Sequence, residues 1–558
     1  MVAASRLCAL VAKAAVLLLL RIALTAGSRE YSTGAPGCGR VTRHPRPATV
    51  GPVSRSRVAP IHAIAVVLLA LGAVPSCGQS ASPPPATSTS IIAPPITTTT
   101  TTTTPPPVVP EGDFTPVARL VDDSIAAHRL PGAVVQIGHA GNVVFRQAFG
   151  SRKLADEPGL DGAPAPAEAM TEDTIFDLAS LTKSLATTVA VLQLYEQGRL
   201  QIDDPVQKYL PEFNPGNDPR RAQVTLRMLL THTSGIAGDL SLDGPWGLDH
   251  ADKAQGIRRA LAAWVVFDPG TLFHYSDINF IILGALVEKI TGETLDTYVP
   301  RNVFAPLGLA DTRYLPADKA CGPHQIRGTA IVFDKNADPP GACPEGTWST
   351  ALLARIAPTA HDGDTPGLNP DFDQLLRGTV HDPTARRMGG VSGSAGVFST
   401  VHDVGRYAQA LLDRLAGRPS PFPLKRSTLE AMTTPQQPGH NAAQLQAANE
   451  ATRRAVENNP NTTDPLLAPN YPAIAGQNLR GFGWDIDTEQ SRPRGMLFPI
   501  GSFGHTGFTG VSLWIDPGSD TYVIVLANVI HQPGGPPIVK LSGDIATTAA
   551  RILHLYGA

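Results

Sequence analysis

The chain is short of several things that would otherwise decide its class. Only five cysteines and ten lysines stand among 558 residues, and aromatic side chains make up 6%. Lys and Arg number 45 against 48 Asp and Glu, a net charge of −3, so nothing in the balance calls for a nucleic-acid partner. No G-x-S-x-G occurs, which leaves an α/β-hydrolase nucleophile elbow unsupported. There is no H-E-x-x-H and no paired C-x-x-C, so no metal and no cofactor is expected. His232, His381 beside Asp382, and His402 beside Asp403 are accordingly read as structural. No apolar run reaches the ~20 residues a spanning helix needs.

What is present begins at the N-terminus. Residues 1–60 hold nine Arg or Lys against one acid, Glu30, and apolar runs extend from Ala14 to Leu20 and from Ala63 to Val74. The second run follows Arg55 and Arg57 and ends Val74-Pro75-Ser76-Cys77, a basic stretch, a short apolar core and small residues, as in a secretory signal. Apart from Pro75 it resembles the lipobox of bacterial lipoproteins, which implies that Cys77 becomes the lipidated first residue of the mature chain. A plain signal peptide or a membrane anchor is the alternative. The placement of the run suggests that Met1 lies upstream of the true start. Residues 1–76 are read as a targeting region. Residues 77–112 are read as the lipidated cysteine and a Ser/Thr/Pro linker, with an unbroken Thr97–Thr104 run, too polar to build a core. The expected location is outside the cytoplasm, anchored to the membrane by lipid or else secreted. An oxidising compartment would allow Cys321 and Cys343 to bridge, two free thiols being the alternative.

Residues 113–558 read as one unit. Pro116–Ala127 has helical spacing and ends at Leu130-Pro131-Gly132. Ala133–Ile137 and Val143–Ala148 flank a turn, as do Val511–Ile515 and Tyr522–Leu526, and a last helical stretch runs Val539–Leu555. Strands at both ends with mostly helical sequence between predict an α+β fold: an antiparallel sheet built from both termini, flanked by helices, with an inserted helical domain. Helices are expected over Leu181–Gln197, ended by Gly198, and Asp277–Ile290, ended by Gly292. The polar stretch from about Pro438 to Ala475 reads as a surface excursion.

Three short motifs carry the chemistry. Ser180-Leu181-Thr182-Lys183 opens a helix, so Ser180 and Lys183 lie one turn apart on one face, though Ser180 also fits a plain N-cap. Ser180 needs a base, and either Lys183 or Tyr275 would have to fall ~3 units from a value near 10 to act as one at neutral pH. A buried pair could do this mutually, since the cation favours tyrosinate and burial disfavours the ammonium. Phe503-Gly504-His505-Thr506-Gly507-Phe508 reads as a strand whose glycines let substrate lie close. His505 would offer charge or a proton there, and Thr506 a hydroxyl.

With Gly198-Arg199-Leu200-Gln201-Ile202-Asp203-Asp204-Pro205 and Leu229-Leu230-Thr231-His232-Thr233-Ser234-Gly235, these motifs resemble the serine β-lactamase-like family. The likeness is to class C β-lactamases, D,D-carboxypeptidases, D-aminopeptidases and related esterases. The resemblance implies a mixed α/β domain beside a helical one, Ser180 as nucleophile, Lys183 and Tyr275 as proton handlers, and His505-Thr506-Gly507 as a strand wall. It makes the Phe508 N–H an oxyanion donor. Asp277, where relatives usually carry Asn, would touch the acyl group but can only accept hydrogen bonds when ionised. Ser394 stands where relatives often have His. The expectation is an exported serine hydrolase acting on small esters or D-amino-acid peptides. The alternatives are a penicillin-binding D,D-carboxypeptidase or β-lactamase, and a non-catalytic cell-wall-binding lipoprotein.

Overall fold

A computed structural model describes residues 111–332, 342–439, 442–458, 478–532 and 538–557, together with 108 and 334. The signal region, Cys77 and nearly all of the linker lie outside the described residues.

One antiparallel sheet organises the molecule. Its strands are β1 (Gly132–His139), β2 (Asn142–Lys153), β3 (Glu168–Ala169), β4 (Leu479–Arg480), β5 (Asp485–Asp487), β6 (Phe503–Gly507), β7 (Val511–Asp516) and β8 (Thr521–Ala527), ordered β4-β5-β6-β7-β8-β1-β2-β3. The N-terminal β1 pairs with the C-terminal β8, Val135 opposite Val525, so the two ends of the chain close the sheet as expected. Side chains alternate across it with the strand period of two. Val135, Ile137, Val523 and Val525 pack under α1 (Thr115–Ala126) and α5 (Val539–Ile552). Val134, Ile524 and Leu526 face the other way, into the main core beneath α4 (Val401–Leu415).

The inserted region is largely helical and includes α2 (Thr188–Glu196) and α3 (Asp277–Thr291). α3 is apolar on nearly every side because it is buried from Ile278 to Val287. It is capped by Ser276 at its start and stopped by Gly292 at φ +77°. A small sheet of Phe176–Asp177, Val397–Ser399 and Arg313–Tyr314 carries the chain into the nucleophile turn. Cys321 and Cys343 are bonded, with Cα atoms 5.7 Å apart. Arg386 and Arg387 reach the buried carboxylates of Asp362 and Asp364 at 2.6 and 2.8 Å.

Two elements differ from the sequence reading. The helix after Ser180 is not continuous, because Lys183–Thr187 forms a wide π turn before α2 begins. The polar excursion contains a helix, Ala442–Asn458, whose Asn449 is tied to the backbone of Ile500 through both ends of its amide. The rest of that stretch, 459–475, lies outside the described residues.

Candidate active site

Ser180 stands in a tight turn between the Phe176–Asp177 strand and the π turn. Ala179 takes φ +45°, a conformation that costs a non-glycine residue of order 1 kcal/mol or more and needs fixing from outside. Asp177 supplies the fixing: one carboxylate oxygen accepts the Ala179 N–H at 2.9 Å and the other the His381 N–H at 2.8 Å. Burial pushes the Asp177 carboxyl up to about 6 against those two hydrogen bonds. Strand β6 presses on the same turn. A Cβ on Gly507 would fall 2.6 Å from the Leu178 carbonyl oxygen and 2.4 Å from Val511 Cγ2. On the side where a side chain would stand, Gly507 is therefore packed against the chain's own turn. Neither the Ser180 N–H nor the Phe508 N–H has a hydrogen-bond partner among the described residues, which leaves both donors open to a developing oxyanion.

Lys183 is fully buried, and its ammonium touches three oxygens. These are Ser180 Oγ at 2.9 Å, the Ser394 carbonyl at 2.9 Å and Asp277 Oδ1 at 2.5 Å. The Ser394 position thus contributes its backbone oxygen. Burial opposes the ammonium, but Asp277 and then Tyr275 outweigh it and hold Lys183 above its ordinary value. Tyr275 packs against the same group, its ring centroid 5.2 Å from the ammonium. Burial raises its pKa, Lys183 pulling the other way. In this arrangement both groups are held above their ordinary values, away from the drop that either would need to serve as the base. Asp277, which lines the cavity beside Ser180, also clasps the lysine from the first turn of α3, where the helix dipole favours a carboxylate.

Two buried histidines back this centre. His232, read from sequence as merely structural, stacks on Tyr275 with ring centroids 4.3 Å apart, and its Nδ1 accepts the Ser276 N–H. His505 donates from Nδ1 to the Thr506 carbonyl at 2.7 Å, which leaves its Nε2 as a lone pair without a partner among the described residues. Burial first, then Arg480 and Lys183, hold both imidazoles well below the usual histidine range. His505 is therefore neutral and offers no positive charge to a substrate anion.

A cavity of about 670 Å³ opens beside Ser180, Tyr275, Asp277 and Thr506. Phe508, 74% exposed, forms part of its rim and stacks on His381 at 5.9 Å. Sequence reasoning missed the carboxyls that line it. Asp239 lies beside Asp277 because the Gly238 carbonyl accepts the N–H groups of Asp277 and Ile278, and Ser276 Oγ donates to the Ala237 carbonyl. Asp382 caps a short helix, accepting the Ala385 N–H. Lost hydration, then Asp277, pushes both Asp239 and Asp382 up to about 6. No motif spacing links either to Ser180.

Residues 117–536 match the beta-lactamase family. A protein of Escherichia coli (strain K12) named "Putative D-alanyl-D-alanine carboxypeptidase" is 29% identical over 404 residues, 71% of this chain and 77% of that protein. The "N-acetylmuramyl-L-alanine amidase" of Bacillus subtilis (strain 168) is 27% identical over 427 residues, 75% of this chain and 81% of that one. Among solved structures, "EstCE1, a hydrolase with promiscuous acyltransferase activity" aligns with a TM-score of 0.51 at 21% identity, covering 77% of this chain and 97% of that one. At that identity the likeness is one of fold.

Proposed function

The chain belongs to the beta-lactamase family and is a serine hydrolase, and from that premise we propose that Ser180 forms an acyl-enzyme with a small ester or a D-amino-acid peptide and releases it to water. The observation that carries this reading is Ser180 Oγ at 2.9 Å from Lys183 Nζ, with Tyr275 beside it at the edge of the cavity. The Ser180 and Phe508 N–H groups would receive the oxyanion, and losing one such donor typically costs ~3–4 kcal/mol. A C-terminal carboxylate is a poor fit. Among the described residues it would enter a cavity lined by Asp239, Asp277, Asp382 and Glu489 against the one cation Arg492, with a neutral His505 behind the strand wall. A D,D-carboxypeptidase is the second reading, favoured by the name of the Escherichia coli relative.

The test compares wild type and Ser180→Ala, as residues 113–558, on p-nitrophenyl butyrate and on an acylated D-alanyl-D-alanine peptide. Ester turnover that falls at least ~1,000-fold in the variant supports the acyl-enzyme. D-Alanine release without ester turnover would transfer the assignment to the second reading. Turnover of neither would sink both.

We also propose export with a lipid on Cys77, which rests on the basic, apolar and small-residue run that ends there. The Cys321–Cys343 bond fits an oxidising compartment. Labelled palmitate should enter the full chain and be lost with Cys77→Ala; no incorporation rejects the anchor.

A further inference from the structure

Trp264 is the most exposed large apolar side chain among the described residues, 83% open to water. Val266, Phe267 and Leu272, its neighbours along the chain, are between 38% and 49% exposed. They stand on a segment that is held firmly. Val265 packs against the main core and bridges Ile236, which puts Trp264 and Val266 together on the outer side. Two arginines of the short helix Pro219–Ala222 take up the segment's carbonyls. Arg221 donates to Ala263 at 2.6 Å, and Arg220 donates to Val265 and Phe267 at 2.5 and 3.3 Å. The Trp264 carbonyl accepts the Ala237 N–H at 3.0 Å, and the Gly235 carbonyl accepts the N–H groups of Val266 and Phe267. Thr271 then closes a turn onto the Asp268 carbonyl, and Phe267 packs edge-on against His274 with ring centroids 5.0 Å apart.

We propose that Trp264, Val266, Phe267 and Leu272 form a docking face for a lipid surface, which lays the catalytic domain on the membrane that Cys77 enters. This rests on the anchor reading above. A rigid segment that turns an indole and three apolar side chains to water marks an interaction face. Its backbone carbonyls are already matched from within, as hydrocarbon requires and as a hydrogen-bonding protein partner does not. Tryptophan is the residue suited to the headgroup boundary. The segment's one acid, Asp268, lies 3.6 Å from Arg220, so the face brings no net charge and apolar burial drives the contact.

The chain outside the described residues says where this face would work. Residues 77–112 form a linker able to reach ~100 Å at ~3.1 Å per residue, and it ends at the cysteine proposed to carry lipid. A tether of that kind keeps the domain near the membrane at high effective concentration, where a weak second contact is enough to hold it down. The contact also bears on the active site. Residues 235–237, which hydrogen-bond to the face, run on into Asp239, Leu240 and Leu242 of the cavity wall, and the face itself runs on into Tyr275. Docking holds one wall of the Ser180 cavity close to lipid.

Trp264 is its own reporter. Trp348, Trp484 and Trp514 are buried, and Trp246 is partly covered by Arg259 and Arg387. The full chain is bound to phosphatidylcholine vesicles whose acyl chains carry bromine, with and without phosphatidylglycerol. Bromine should quench the exposed tryptophan and aqueous iodide should lose access to it, equally on both compositions. Trp264→Phe should remove the quenched component while hydrolysing p-nitrophenyl butyrate within ~two-fold of wild type. Val266→Asp, which keeps the reporter, should weaken docking at least ~10-fold. A chain that sediments with vesicles while Trp264 stays open to iodide and untouched by bromine overturns the docking face and leaves the anchor standing. Quenching that persists in Cys77→Ala, with no palmitate entering either chain, overturns the anchor and leaves the face standing. Iodide access that falls with protein concentration in the absence of vesicles overturns the lipid surface in favour of a second copy of this chain.

Discussion

The molecule contains two sets of buried acids and bases that are close in composition and opposite in balance. In one, Arg386 and Arg387 face Asp362 and Asp364, two cations for two anions, and nearly every donor is matched by a carboxylate or a backbone oxygen. In the other, Lys183 faces Asp277, Asp239 and Asp382, one cation for three carboxyls. Balance yields a fixed joint, in which Asp364 is held below the usual carboxylate range: burial alone would raise it, and Arg387 more than reverses that. Imbalance pushes Asp239 and Asp382 up to about 6, toward the range in which proton transfer works. The same side chains thus serve architecture or reaction according to whether the count closes.

The largest way to break the comparison is Arg387→Met, which leaves Asp364 buried without its principal partner. Removing one member of a buried pair typically costs ~3–5 kcal/mol, and a denaturant titration should register a loss of that size. Esterase activity per folded molecule should stay within about two-fold.

Asp277→Asn should produce the opposite pattern. It removes the carboxylate that holds the Lys183 proton, so kcat/KM should fall by roughly 100-fold. The stability loss should be less than half that of Arg387→Met, because Asp239 and Asp382 gain from losing a like charge. A large melting shift with intact kinetics would show that Asp277 belongs with the structural set.

The smallest effect is in pH. Asp382 is raised from 3.8 to about 6 in the folded chain, so the fold binds that proton more tightly than the unfolded chain does. Its contribution is therefore present at low pH and is lost as pH rises from about 4 through about 6. For Asp364, which is lowered, stability is present above the ordinary carboxylate value and lost as pH falls below it. Asp382→Asn keeps the cap and should flatten the decline between pH 4 and 6 by on the order of 1 kcal/mol, read as urea midpoints across pH.

The fold was legible where periodicity and punctuation agree. The alternation of Ala133–Ile137 and Tyr522–Leu526, with turns between neighbouring strands, yielded a sheet closed by both termini. The helix at Ala442–Asn458 was lost because its Ala-, Gln- and Arg-rich run was averaged with a flank rich in Pro and Asn. At the site, Ser180, Lys183 and Tyr275 could be joined because a short motif marks each. Asp239 and Asp382 carry no such mark, since one arrives through a loop stitched to α3 and the other as a helix cap. The direction of the lysine shift could not be read for a related reason. Burial can be guessed from apolar neighbours, whereas the 2.5 Å approach of Asp277 depends on how α3 is docked.

The π turn at Lys183–Thr187 makes the site sensitive to chain length as well as to residue type. A wide turn holds one residue more than the α-helix around it, and such insertions are frequent at functional sites. Wound as ordinary α-helix instead, the same stretch from Lys183 to Thr187 would carry one residue too many for its phase. The face of α2 that carries Val189 and Leu192 would stay seated in the core, and Lys183 would swing by ~100° around the helix axis, away from Ser180. One residue's worth of winding is enough to separate a chain that folds from a chain that reacts, with every named catalytic residue still present in its sequence.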